Sequence, residues 1–544
     1  MADIILKLKT LDNYSINQNE KIEWISSGPR FDCMIYGKQG TFCLVRNGSD
    51  AIASVGYTCY LDGDSSQETL SQILTSFQES QIGDLKKKLV GQYVLIIKKD
   101  NNLYIFSDFM GVRNVFYSGD GLVVSSSFSK VEDLVQTNSS DLDMYKVWEF
   151  LAMRHILYPT WIGRTTGHKR IKWLLPYEYL VIDLSNSSFR LGSVVYTIDN
   201  KKISDCTQLS NELLSTLRTI IHRREFKNSA VAASLTGGRD SRLVASIAAE
   251  QFRNIHYRTA VSSEKVSSVK DLEVAKKVAR VRNIPVDAFP FQLGRDEERF
   301  RELTEGFSPT YNSSITPLID SAASYSLGFG GVFGTELFMP IPWNSIEEYV
   351  QSRIENAKKA LWVEDDFWNY FQQALYDEFR RTKAHFQLSD GDDRDYIRLF
   401  NLLDTTRYAS FILSAFNQSG YQIEPYSNYA ILDLALRVAP ILWGNHRSLG
   451  GNALVQQNAM AKLDQRVARI LTYKTFRPML PISMTSFPLY LMGFTLQVIS
   501  WLRERFEDGQ KIPVRTELPN GYYISNGWEK NFIERTVSKY GLIR

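Results

Sequence analysis

The sequence has little of what usually announces a function. Its four cysteines in 544 residues, Cys33, Cys43, Cys59 and Cys206, share no metal-ligand spacing. They are too few for a disulfide framework in so long a chain, so they read as buried thiols. The six histidines are scattered and no two stand four apart, which removes the helical zinc motifs. A net charge of +3 excludes a protein that coats nucleic acid or docks through a polybasic surface. The longest apolar stretch, Phe487 to Leu502, is interrupted by Thr495, Gln497 and Ser500 and falls short of a membrane span, so it is expected to be a packed helix. The first residues, Met-Ala-Asp-Ile-Ile-Leu-Lys, lack the apolar core and cleavage site of a signal peptide, and a cytoplasmic location is expected. Gly-Lys-Ser/Thr and Gly-x-Gly-x-x-Gly, the endings of the commonest phosphate loops, are also missing.

What is present is an ordinary globular composition, 44% apolar and 23% charged, on a chain too long for one core. Two domains are expected, over residues 1–190 and 205–544, with the Ser- and Asn-rich residues 185–205 as the linker. The first reads as short strands parted by turns such as Asn47-Gly48 and Asp62-Gly63, with one helix near Glu68 to Ser80, an antiparallel β-sandwich. The second alternates helix and strand: a helix from Thr207, a strand to Leu235, another at Ile255 to Val261, a helix from Asp271 and a strand beginning at Ile284. That alternation predicts a doubly wound parallel sheet.

The most informative stretch is Ser234-Leu235-Thr236-Gly237-Gly238-Arg239-Asp240-Ser241-Arg242. An apolar strand ends in two glycines, and Asp240-Ser241 opens a helix. The glycines allow close approach of the main chain, and the hydroxyls of Thr236 and Ser241 join the first N–H groups of the helix as donors to an anion. Arg239 and Arg242 add positive charge, while Asp240 offers a hard oxygen to a magnesium ion bridging to phosphate. This string resembles the Ser-Gly-Gly-x-Asp-Ser loop of ATP pyrophosphatases, with Thr236 in place of the first Ser.

A wider resemblance is to the asparagine synthetase family. It is carried by Leu89-Val90-Gly91-Gln92-Tyr93, Ser107-Asp108-Phe109-Met110-Gly111 and Ser125-Ser126-Ser127 in the first domain. In the second it is carried by Asp271-Leu272-Glu273-Val274-Ala275, by Leu327 to Leu337, and by Arg407 with Glu424-Pro425-Tyr426-Ser427-Asn428. The resemblance implies an Ntn-hydrolase-like glutaminase domain before an ATP-pyrophosphatase domain with added helices. Two departures imply that the glutaminase is degenerate: Ala2 stands where the family has its nucleophilic cysteine, and Ser107 replaces an arginine. Asp271 reads as a helix cap. The family's acidic Ser-Gly-Glu-Gly-Ser-Asp-Glu run is reduced here to Glu336, which inherits either a magnesium-binding or a catalytic role. Lys474 matches by position alone a lysine that the family places near the substrate carboxylate; on its own residues it reads first as an ordinary surface lysine.

Taken together, the resemblance implies an ATP and pyrophosphate site at Ser234, Leu235, Thr236, Gly237, Gly238, Arg239, Asp240, Ser241, Arg242 and Thr259, with Mg2+ on Asp240 and Glu336. The implied activity is adenylation of a small-molecule or peptide carboxylate, followed by attack of an amine and without glutamine. β-Lactam synthetases and lasso-peptide cyclases, whose amine belongs to the same substrate, are similar in style, and a precursor peptide or leader-binding partner follows from that likeness. No nucleic-acid partner is expected. A nucleotide-binding or scaffold protein of the same fold is the alternative.

Overall fold

The computed structural model describes residues 3–8, 21–27, 31–37 and 41–480, apart from 64, 122, 157, 187, 262–265, 293, 309, 360, 362, 418–419, 444–452 and 473–477, together with 488–489, 492, 515–518 and 522–525. Lys474, Ala2 and most of the apolar stretch from Phe487 lie outside the described residues.

The N-terminal part is built from two six-stranded antiparallel sheets. One contains Asp3–Leu8, Lys21–Ser27 and Phe31–Gly37 beside Phe116–Ser118, Val123–Ser125 and Ile171–Trp173. The other runs from Phe42–Asn47 through Asp50–Gly56, Tyr93–Lys99, Asn102–Ser107 and Glu178–Asp183 to Ser188–Ser193. Alternate residues of both sheets, among them Ile4, Ile35, Val55, Val94, Ile105 and Val124, form a shared apolar layer, as expected of a sandwich. Two strands, Lys21–Ser27 and Phe31–Gly37, are additions to the expected set.

The C-terminal part holds a five-stranded parallel sheet in the order Val286–Pro290, Ile255–Val261, Val231–Ser234, Leu327–Phe329, Tyr421–Ile423. In chain order that is third, second, first, fourth, fifth. The sheet is built outward from its first strand in both directions, so the chain reverses its winding between Val231–Ser234 and Leu327–Phe329. Such a switch point opens a crevice at the carboxyl ends of two neighbouring strands. Val231, Ala232 and Ala233 are wholly buried, which their apolar run between two helical layers requires.

Residues 185–205 are not a free linker. Ser188–Ser193 completes the second sheet of the sandwich, and Tyr196–Ile198 pairs in parallel with Phe386–Leu388. Ile203 then exchanges main-chain hydrogen bonds with the 437–439 segment. Buried apolar side chains make this stretch structural despite its Ser and Asn content: Tyr196 and Ile198 are fully enclosed. The charged run from Asp390 is tied to this stretch as well: buried Asp395 accepts from Asn200 and pairs with Lys202.

The two parts share one core. Phe128 and Trp161 from the N-terminal side pack with Phe307, whose ring lies 5.1 Å from each, and Phe307 in turn packs on Phe411 at 4.7 Å. Phe411 belongs to the helix Asp393–Phe416, which is buried along nearly its whole length, polar residues such as Asp395, Arg398 and Arg407 included. One side of it meets the sandwich, and another forms a wall of the cleft at the switch point. Among the described residues no helix is long and apolar enough to cross a membrane.

Candidate functional site

At the switch point lies a cleft of about 530 Å3. The Thr236–Ser241 loop forms one wall, and the run from Gly330 to Glu336 lies against it. These segments approach so closely because of their glycines. A Cβ on Gly331 would sit 2.5 Å from the main-chain nitrogen of Ser241, one on Gly334 would sit 2.5 Å from the carboxyl carbon of Asp240, and one on Gly330 would overlap Glu424. Phe333 between them takes a left-handed conformation at φ 77°, a strain of ~1–3 kcal/mol that neighbouring packing must hold in place.

The loop is closed on itself. The Thr236 N–H donates to Ser241 Oγ at 3.1 Å, the two hydroxyls lie 2.9 Å apart, and the Gly238 N–H reaches Thr236 Oγ1 at 3.2 Å. The helix Asp240–Gln251 that follows has no side-chain cap, so the positive end of its dipole is uncovered by any capping side chain. An incoming anion would find rotatable hydroxyls beside an uncapped helix start, a polar cradle that needs little rearrangement.

The structure divides the sequence-derived candidates. Ser234, Thr236, Gly238, Asp240, Ser241 and Glu336 line the cleft. Leu235, Gly237, Arg239, Arg242 and Thr259 do not line it. Leu235 is buried, and its carbonyl accepts from Thr259 Oγ1 at 2.7 Å, a bond that ties the first two strands together. Arg242, expected beside the anion, is wholly buried and donates to the carbonyls of Ile470, Leu471 and Gly237. It faces inward because the helix places it one turn from the loop on the core side, so it holds the loop from behind. Arg239 Nη2 contacts Met339 Sδ at 3.1 Å. Asp271 is not a cap: it stands inside the helix Val266–Arg282, and its Oδ1 accepts the Gly237 N–H at 2.7 Å. Asn428 caps the helix Tyr429–Arg437 and donates to Leu89 O, and Arg407 is buried against Glu378 at 2.6 Å. Both are structural.

Sequence reasoning missed the other half of the cleft. Glu424 lines it, accepting from the Val332 N–H at 3.0 Å and from Gln422 Nε2 at 3.1 Å. Burial pushes its carboxyl up to about 7, against the opposing pull of those two donors and of the Arg258 guanidinium. Arg258 lies behind this floor, donating to Leu318 O and Gln422 Oε1 with its guanidinium 5.9 Å from the Phe416 ring. The rest of the lining is largely apolar, with Ile315, Leu318, Ile412, Leu413 and Phe416. Tyr158, from the N-terminal part, stacks on Tyr408 at 4.5 Å, and Asn312 donates to the Tyr408 hydroxyl. Glu424 stood within a recognised run, but its importance comes from a burial that spacing does not report.

No family model matches this chain, and no curated protein matches it. Among solved structures, the glutamine phosphoribosylpyrophosphate amidotransferase from B. subtilis complexed with ADP and GMP is similar over 53% of this chain and 59% of its own, at 12% identity and a TM-score of 0.20. The allosteric regulatory enzyme of purine biosynthesis is similar over 45% of this chain and 46% of its own, at 13% identity and a TM-score of 0.19. The chain spans about half the length of each, and likenesses this slight decide nothing about its fold or chemistry.

The donor set can be tested against magnesium directly. Asp240 takes Thr335 Oγ1 at 2.9 Å on one oxygen and Gln456 Nε2 at 2.8 Å on the other, and the Thr335 main chain donates to the same carboxyl, so a cation would share these oxygens with protein donors. Burial raises its carboxyl, and Arg239 is the chief opposing influence; a cation beside it would reverse that shift. Among the described residues no three acidic, histidine or cysteine side chains cluster tightly enough to hold a metal alone. The residues therefore fit a magnesium ion that arrives with phosphate oxygens, its usual mode of binding, rather than a resident metal.

Proposed function

We propose that this protein is an ATP-dependent carbon–nitrogen ligase that activates a carboxylate as its acyl-adenylate and lets an amine displace AMP. The observation that carries this reading is the convergence, at one switch point, of the Thr236–Ser241 anion cradle with the carboxylates Asp240, Glu336 and Glu424. The cradle has the chemistry to hold leaving pyrophosphate: two hydroxyls, the Gly238 main chain and an uncapped helix start. Magnesium, held by Asp240 and Glu336 together with the phosphates, would neutralise the charge that builds on the departing group. Glu424 would take the proton from the attacking ammonium. A carboxyl poised near neutral pH, on the cleft floor and already oriented by Gln422 and Val332, suits that role.

The amine would not come from glutamine. Burial pushes the Cys33 thiol up to about 12 and raises Cys43 as well, so neither is an activated nucleophile; Cys59 is fully enclosed. An external amine, or one carried by the same small molecule or peptide as in the lasso-peptide cyclases that the sequence resembles, remains as the source.

The test is pyrophosphate exchange into ATP dependent on an added carboxylate. Asp240→Ala should lower it on the order of 10²- to 10³-fold. If no carboxylate supports exchange and the Asp240 variant behaves as wild type, the ligase reading is wrong. One feature favours a second reading, a nucleotide-binding protein without chemistry: the amides of Thr236, Gly237 and Gly238 are already bonded within the protein. Magnesium-dependent ATP binding without release of AMP would mark that case.

A further inference from the structure

Charge and shape in the cleft say more about the amine than about the carboxylate. Among the described residues that line it there are three carboxylates, Asp240, Glu336 and Glu424, and no lysine, arginine or histidine. Anionic substrates must therefore bring their own counter-ion, whereas an ammonium is favoured by the walls themselves. Beside Glu424 the surface is apolar. Arg258 donates to Leu318 O and to Gln422, the neighbour of Glu424, and lies under Phe416, so Leu318 and Phe416 stand at the same end of the cleft as the Glu424 carboxyl. Ile412 and Leu413 continue that wall. Ammonia would leave this surface uncovered, and a strongly polar amine would lose hydration against it.

Resting on the ligase reading above, we propose that the nucleophile is a primary amine carrying an apolar chain or ring, its ammonium on Glu424 and its apolar group against Leu318, Ile412, Leu413 and Phe416. Glu424 thereby selects charge, and the helix wall selects the hydrocarbon. The amine binds as R–NH3+ and gives one proton to the Glu424 carboxylate. The free amine then forms the new C–N bond as the acyl–phosphate bond to AMP breaks, and the amide nitrogen's remaining surplus proton passes to water.

The full chain, without ATP, is titrated at pH 8 with ethylamine, n-hexylamine and hexanoate, and dissociation constants are read by calorimetry. Each buried methylene should tighten amine binding by about four-fold, so hexylamine should bind at least about 50-fold more tightly than ethylamine. Glu424→Gln should weaken both amines. Phe416→Ala should weaken hexylamine by about ten-fold and leave ethylamine unchanged; Ile412→Ala, a smaller truncation of the same wall, serves if that variant does not fold. Equal binding of the two amines, or hexanoate binding as tightly as hexylamine, would overturn the proposal, the latter result assigning the wall to the acyl substrate. Carboxylate-dependent pyrophosphate exchange needs no amine. Its loss with amine binding intact would remove the ligase reading and leave the amine site standing, while intact exchange without amine binding would do the reverse.

Discussion

The two walls of the cleft are made in opposite ways. The loop wall is local: Thr236, Gly238, Asp240 and Ser241 lie within six residues, and Thr236, Gly238 and Ser241 bond to one another. The facing wall gathers Tyr158, Asn312, Leu318, Phe416 and Glu424 from across the chain and places a carboxyl where little water reaches it. The first is a ready anion site whose groups change partners when a ligand enters. The second stores its chemistry in burial, since a carboxylate that would be ionised in water is held near neutrality by its surroundings. Phosphate chemistry thus falls to the wall that is cheap to rebuild locally, and proton transfer falls to the wall that only the whole fold can assemble.

The sharpest way to separate them is at Glu424. Glu424→Gln should lower amide formation on the order of 10²- to 10⁴-fold while leaving carboxylate-dependent pyrophosphate exchange close to wild type; parallel loss of both would mean that the walls do not divide the work. Stability carries its own signature. The folded carboxyl lies near 7, above its ordinary value of 4.5, so the folded state favours the protonated form. The stability this lends is complete below about pH 4.5 and is lost as pH rises through 7. Glutamine mimics the protonated acid and has no such loss. In urea, therefore, Glu424→Gln should match wild type at pH 4.5 and exceed it at pH 8 by up to about 3 kcal/mol. A constant difference between the two pH values would place the carboxyl in an ordinary solvated setting.

The next effect tests whether the loop wall depends on its neighbour. Gly331 abuts the main chain of Ser241, and a Cβ there would lie 2.5 Å from its nitrogen and 2.6 Å from its Cα. Backbone cannot swing aside as a side chain can. Gly331→Ala should displace the start of the helix Asp240–Gln251 and lower exchange by about 100-fold, with a stability loss of ~1–3 kcal/mol seen in thermal melts. Wild-type exchange in this variant would show that the two segments can separate without consequence.

This contrast also explains what could be read from the sequence. A strand, two glycines and Asp-Ser opening a helix form one continuous signal, and the loop stands where that signal puts it, at the end of the central strand. Alternating helix and strand likewise foretold the parallel sheet, and the span Ile255–Val261 is the one expected. The roles of individual loop residues were less legible. Arg242 looks like a phosphate ligand in sequence and is a buried brace in the fold, because helical phase and not proximity decides which way it points. Residues 185–205 look like a linker by composition, yet Tyr196 and Ile198 carry them into the core. Glu424, Phe416 and Tyr158 could not be joined by any local pattern, since nothing in residues 158, 416 and 424 says that they meet.

The smallest effect concerns the brace on the other side of the loop. Asp271 Oδ1 accepts the Gly237 N–H at 2.7 Å, and Gly237 itself is not part of the cleft lining, so this amide is committed to holding the turn rather than to a phosphate. A side-chain-to-main-chain hydrogen bond at a part-exposed turn contributes about 1 kcal/mol. Asp271→Ala should free the turn and raise the KM for ATP by about five-fold with kcat little changed, because the disorder must be removed on binding and not at the transition state. Asp271→Asn keeps an oxygen acceptor and should recover most of the loss. A fall in KM in both variants would carry the opposite meaning: the carboxylate would then be competing with phosphate for the Gly237 amide, and the closed loop would be a self-occupied site that the nucleotide must open. The asparagine variant decides between them, since a latch needs only an acceptor whereas a competitor acts through its charge.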